Sequence, residues 1–131
     1  MKKFYKKTIL IYIFSLFMFV TAKGQALEDV VTYLRNGNVG LLAKSFDNIV
    51  TITVTGTQSA YSKTQAEMVL RDFFGRNIVK DFVVMQSGTA PNNNSKYAIG
   101  KLSTSTGNFQ LYVLMKLKDG AYMIQELRFE K

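Results

Sequence analysis

After Asn77 the chain stops reading as helix and does not return to it. IVKDFVVMQSG (78–88), KYAIGKLST (96–104), FQLYVLMKLK (109–118) and AYMIQELRFE (121–130) are rich in β-branched and aromatic residues, as strands of a sheet are. Between them stand the polar TAPNNNS (89–95), a turn around STGN (105–108) and Asp119-Gly120, the two-residue signal of a tight hairpin. Four strands joined by such short links form an antiparallel meander. A sheet of this kind must have one face covered, and the rest of the chain has to supply the cover.

The first half supplies it. ALEDVVTYLRN (26–36) puts Leu27, Val30, Val31 and Leu34 on one helical face, with Glu28 and Asp29 in the first turn, where the helix dipole favours them. Asn36-Gly37-Asn38 breaks that helix, and Asn38 can cap a short second one, VGLLAKSF. NIVTITVTG (48–56) reads as a strand. In YSKTQAEMVLRDFF (61–74), Ser62 and Gln65 form a capping box. Ala66, Val69, Leu70, Phe73 and Asn77 follow helical spacing on one side. Lys63–Glu67, Glu67–Arg71 and Asp72–Arg76 are opposite-sign i,i+4 pairs on the other, so the helix packs and its charges are solvated. The fold class is α+β, with N-terminal helices packed on a curved antiparallel sheet.

The last hairpin carries a register problem. Pairing outward from Asp119-Gly120 sets Leu117 opposite Tyr122 and Met115 opposite Ile124. Continued unchanged, it would bury Glu126 against Val113 and Arg128 against Leu111, at a cost of several kcal/mol. One extra residue at Gln125–Glu126, a β-bulge, repairs the pattern. Leu127 then meets Val113, and Phe129 meets Leu111. Tyr112 and Arg128 become a cross-strand pair on the outer face, within cation–π reach, and Leu114 and Met123 stand on the same face. Tyr112, Leu114, Met123 and Arg128 are the candidate docking surface.

The chain opens with MKKFYKKTILIYIFSLFMFVTAKGQA. Lysines, an apolar run from Ile9 to Val20, then small residues are the layout of a secretory signal peptide. The run is shorter than the roughly 20 residues of a spanning helix. The expected division is a signal peptide at 1–25, cut near Ala22, Gly24 or Ala26, and a single domain at 26–131, periplasmic or secreted, with no stable membrane insertion after cleavage. Of 17 Lys and Arg, five lie in this leader; the remaining 12 face 9 acidic residues, a net charge of +3 instead of +8. They are scattered, so no basic surface for nucleic acid is expected. There is no cysteine, which closes the diacylated lipoprotein route and leaves packing to stabilise an exported domain. There is no histidine either, which removes Ser-His-Asp triads, Cys-His pairs and histidine-built metal sites.

Three passages, YLRNGNVGLLAKSF (33–46), VTGTQSAYSKTQAEMVLRDFF (54–74) and SKYAIGKLSTSTGNFQLYVLMKLKDGAYMIQELRFEK (95–131), resemble a family of short exported bacterial proteins. That family is a domain of unknown function in the nuclear transport factor 2-like, cystatin-like superfamily. The resemblance implies a cone whose sheet wraps around a long helix. The superfamily includes ketosteroid isomerase-like and dehydratase-like enzymes, with Asp, Tyr and His lining the cone, beside plain binding domains. No position here matches the isomerase general base or its oxyanion donors. Nor do the acids form an isolated pair on an apolar face, as a general acid of raised pKa requires. The expectation is therefore a non-catalytic binding or interaction module without cofactor or metal, using the cone pocket or the outer sheet face. Its partner would be a small apolar ligand or a protein, a second copy docked through the sheet included. The alternative is a small isomerase or hydratase acting on an apolar ligand through a carboxylate or Tyr.

Overall fold

The computed structural model describes residues 26–131, and the expected leader lies outside them. Helix α1 (Ala26–Arg35) carries Glu28 and Asp29 in its first turn. It stops because Gly37 adopts φ 63°, so that Asn38 N–H donates to the Tyr33 carbonyl (2.8 Å) and Gly37 N–H to that of Leu34 (3.1 Å), a Schellman ending. Asn38 then caps α2 (Val39–Ala43) by accepting from Leu41 N–H at 3.1 Å.

Where the pattern predicts one strand over 48–56, the structure has two: β1 (Phe46–Val54) and β2 (Thr57–Ser62), paired as a hairpin. Their turn is Thr55-Gly56, with φ of 45° and 87°. A β-branched residue rarely takes the left-handed conformation, so Thr55 disguises a turn that Asn-Gly would have announced. Its N–H donates to the Phe129 carbonyl at 2.8 Å, which ties the turn to the last strand. Helix α3 (Lys63–Arg76) starts with both halves of the capping box formed. Its buried face is Ala66, Leu70 and Phe74, with Val69 and Phe73 half-buried. That face is turned from the expected one, through Val69 and Phe73, because Phe74 meets Phe129 edge-on (6.0 Å, 82°) and Asn77 leaves the helix as its C-cap. Glu67–Arg71 and Asp72–Arg76 form ion pairs; Lys63–Glu67 is not among those formed by the described residues.

The meander follows: β3 (Val79–Thr89), β4 (Ser95–Thr104), β5 (Gly107–Lys118) and β6 (Ala121–Glu130). The sheet order is β2-β1-β6-β5-β4-β3. It is antiparallel at every joint except β1–β6, which is parallel. Helix α3 carries the chain from one edge to the other, and the meander walks back until β6 lands beside β1. Helices α1 and α3 cover β3–β4 and β1–β2 respectively, with α2 between them. The core lies under this cover, where Leu34, Leu42, Leu70, Phe82, Leu111, Leu127 and Phe129 are wholly buried. Each such side chain contributes roughly 1.5–3 kcal/mol relative to exposure.

The final hairpin turns at Asp119 and Gly120, both with positive φ. It pairs Leu117 with Tyr122 and Met115 with Ile124, skips Gln125, and resumes with Leu114–Glu126, Val113–Leu127, Tyr112–Arg128 and Leu111–Phe129. The bulge is therefore present, and it has a partner. β1 is irregular at the same level, with Phe46 beside Ile124 but Thr51 beside Glu126. Asp47, in that stretch, accepts from Gln125 Nε2 (2.9 Å), Lys118 Nζ (2.9 Å) and Asn48 N–H (2.7 Å). One carboxylate thus pins two irregular strands together.

Candidate functional site

Because strand residues alternate between faces, burying Val113, Leu127 and Phe129 leaves the residues between them outside. Tyr112 and Arg128 face each other there, with the guanidinium carbon 5.2 Å from the ring centroid. Arg128 also donates to Glu126 at 2.6 Å. Leu114 pairs with Glu126 and Met123 with Lys116, one step further along. The four candidate residues thus share one face: Tyr112, Leu114 and Met123 are half-buried and Arg128 is exposed.

The structure adds two residues from β4. Tyr97 pairs with Leu114 and Ile99 with Tyr112. The two tyrosine rings lie 6.4 Å apart at 31°, and Tyr97 Oη accepts from Gln86 Nε2 at 3.0 Å. Tyr97 covers Gly88 on β3 so closely that a Cβ there would sit 2.7 Å from its ring, an aromatic filling the gap a strand glycine leaves. Counting outward from the Ser105-Thr106 turn puts Ile99 beside Tyr112, so this neighbourhood is legible in the sequence. Burial, followed by the negative charge of Glu126, raises the Tyr112 pKa, with Arg128 opposing. Tyr112 is therefore a phenol at neutral pH, a hydrogen-bond donor embedded in an apolar stripe.

Aromatic rings pack the concave side. The Phe73 ring lies 4.6 Å from Phe129, 5.4 Å from Phe109 and 5.7 Å from Phe74. A cleft of about 590 Å³ opens at the end of α3 over Val54, Val69, Phe73 and Phe109. Of its polar groups, Asp72 holds Arg76, Asn77 bonds the Phe73 carbonyl and the Thr106 hydroxyl, and Lys131 lies over the Phe109 ring. Asp47 is the one buried acid among the described residues. Its hydrogen bond from Lys118 in the first place, then those from Asn48 and Gln125, hold its carboxyl below the ordinary value of 3.8. A carboxylate that stable and that fully bonded is a poor general base. Among the described residues no three His, Cys, Asp or Glu stand together as metal ligands, and no helix is long and apolar enough to cross a membrane.

With this geometry in hand, comparison with known proteins places the chain. The profile of the family described as "Domain of unknown function (DUF4783)" matches residues 27–130. A DUF4783 family protein from Bacteroides ovatus is 28% identical, with a TM-score of 0.74, over 78% of this chain and 91% of that one. One from Bacteroides uniformis is 27% identical, with a TM-score of 0.76, over 79% and 94%. An NTF2-like protein of unknown function from Cytophaga hutchinsonii shares the fold at 13% identity, with a TM-score of 0.59, over 82% and 88%. No curated protein matches the chain. The fold is NTF2-like, as the sequence resemblance implied.

Proposed function

The chain belongs to the DUF4783 family, a domain of unknown function, and on that footing we propose that it is an exported, non-catalytic interaction module whose outer sheet face docks another protein. The observation that carries this reading is the contrast between the two sides of β4–β6. Phenylalanines occupy the concave side, whereas Tyr112, Leu114 and Met123 are only half-buried on the convex one. Aromatic residues, methionine and arginine are the side chains that anchor protein interfaces. The isomerase or hydratase alternative requires a carboxyl or phenol aimed into an open pocket. The one buried acid among the described residues sits among three donors, and in the cleft lined by Asp29, Tyr33 and Tyr122 the Tyr122 hydroxyl is spent on the Asn93 carbonyl, which favours docking over catalysis.

Site-specific photo-crosslinking in the producing cell tests the reading. A benzoylphenylalanine at Leu114 or Met123 should give a discrete protein adduct, and one at exposed Met68 on α3 should not. No adduct from either outer-face position would overturn it. Export is checked separately: the N-terminus of the recovered protein should lie near Ala22 to Ala26, and an intact Met1 would refute the leader.

A further inference from the structure

The two edges of the sheet are built differently. β3 is defended against further pairing. Bulges at Lys80 and Met85 interrupt its register, Lys80 and Asp81 charge it, and Arg35 takes up the Phe82 carbonyl (3.3 Å) while reaching Asp81 (3.6 Å). Bulges, charges and covered acceptors are the usual means by which a sheet edge resists another strand. β2 has none of them. Its six residues, TQSAYS, run in unbroken register beside β1 from Val54–Thr57 to Ile49–Ser62. The strand has no charge and no proline, and all its residues but Tyr61 are exposed. No described residue hydrogen-bonds the far side of Thr57–Tyr61.

We propose that β2 pairs antiparallel with β2 of a second copy, about a two-fold axis perpendicular to the sheet, so that two six-stranded sheets become one. Side-chain alternation requires a register centred on a residue, and the two that pair most of the strand are centred on Ala60 and on Ser59. Centred on Ala60, Gln58 lies opposite the partner copy's Ser62, and Ser59 opposite its Tyr61. No pair in either register sets like charges together, the arrangement that would oppose self-pairing. A second copy satisfies both open edges in one event, whereas a foreign peptide would find no charge on β2 to select it. The blocked β3 matters equally. Head-to-tail addition of β2 to β3 would grow without limit, while β2 on β2 closes at two. A six-residue edge makes a small interface beside the roughly 1,200 Å² of a standard one, so the dimer is a weak one that assembles with rising concentration. It sets two Tyr112–Arg128 faces side by side on one surface, and it rests on different residues from the docking face itself.

Sedimentation equilibrium of the leader-free chain across a concentration series tests this. Wild type should pass from monomer to dimer, and Ser59→Lys/Ala60→Lys, which opposes like charges in both registers, should raise the dissociation constant by about tenfold or more. Leu114→Lys should leave the dimer unchanged. Amide exchange on wild type is an independent arm: protection of β2 should rise with protein concentration while that of β3 stays constant. A wild type that remains monomeric throughout, or a dimer broken by Leu114→Lys and kept by Ser59→Lys/Ala60→Lys, would overturn the proposal. So would β2 exchange that ignores concentration.

Discussion

Two aromatic rings cross glycines in this sheet, one on each face, and the glycines are not equally replaceable. On the inner face Phe82 lies over Gly100. A Cβ there would stand 2.4 Å from the Val83 carbonyl oxygen and 2.7 Å from the Phe82 ring. On the outer face Tyr97 lies over Gly88, and the three atoms nearest a Cβ all belong to the tyrosine side chain, at 2.7 to 3.1 Å. The inner crossing is locked by backbone and by a wholly buried ring; the outer one is closed by a half-exposed side chain that can swing aside. The concave face is built to pack and the convex face to display.

The largest effects should therefore come from the concave face. Phe129→Ala removes a wholly buried ring in contact with Phe73 and Phe74 and should cost roughly 3–5 kcal/mol in denaturant unfolding. Phe73→Ala, at the half-open mouth, should cost closer to about 2 kcal/mol, because less apolar area is lost. Equal losses would mean that Phe73 is as enclosed as Phe129. Next in size is Gly100→Ala, at about 1–3 kcal/mol for overpacking against fixed atoms. Gly88→Ala should stay below about 1 kcal/mol, the Tyr97 ring moving off instead. If the two glycine variants were equally damaging, the outer face would be as rigid as the core.

Much of this division was legible in the residues. The alternation of β5 and β6 cannot bury Leu111, Val113, Leu127 and Phe129 together without a bulge, and that constraint alone put Tyr112 beside Arg128. The capping box fixed where α3 begins. What escaped notice lacked a local signal. β2 was hidden by Thr55 in a left-handed turn, stabilised by a carbonyl from Phe129, 74 residues away along the chain. The parallel joint between β1 and β6 is a consequence of topology and leaves no mark on either strand. Nothing local singles out Asp47, because its partners Lys118 and Gln125 come from the far end of the chain.

Asp47 controls the border between the faces, since the bulge at Gln125 decides which residues of β6 point inward. Asp47→Asn should cost about 1–2 kcal/mol, less than a deep charge-assisted bond because Lys118 is half in solvent. The pH dependence has a definite sign. The lowered carboxyl pKa gives a stabilisation that is complete above 3.8 and lost as pH falls through the folded value. The Lys118 pKa is raised, chiefly by its hydrogen bond to Asp47, so its share is complete below 10.5 and lost as pH rises through the folded value. The gap between wild type and Asp47→Asn should thus stay flat between those limits, close at the acid end and narrow at the alkaline one, where the Asn48 and Gln125 bonds remain. A gap that varies between pH 5 and 9 would assign the bulge to other groups.

The smallest effect tests whether the outer face is complete as it stands. Thr53 lies on that face between Arg128 and Gln58, yet is only 5% exposed, and its hydroxyl has no hydrogen-bond partner among the described residues. A buried hydroxyl without a partner is a standing penalty, and an apolar group of the same shape removes it. Valine is that group and suits a strand equally well. Thr53→Val should therefore be neutral or stabilising by up to about 1 kcal/mol, and should leave Tyr112 and Arg128 in place. Destabilisation instead would mean that the hydroxyl holds a partner on the convex side, such as a fixed water bridging toward Arg128. The face would then be less apolar than the Tyr112, Leu114, Met123 stripe suggests, and a docking protein would have to displace or keep that water.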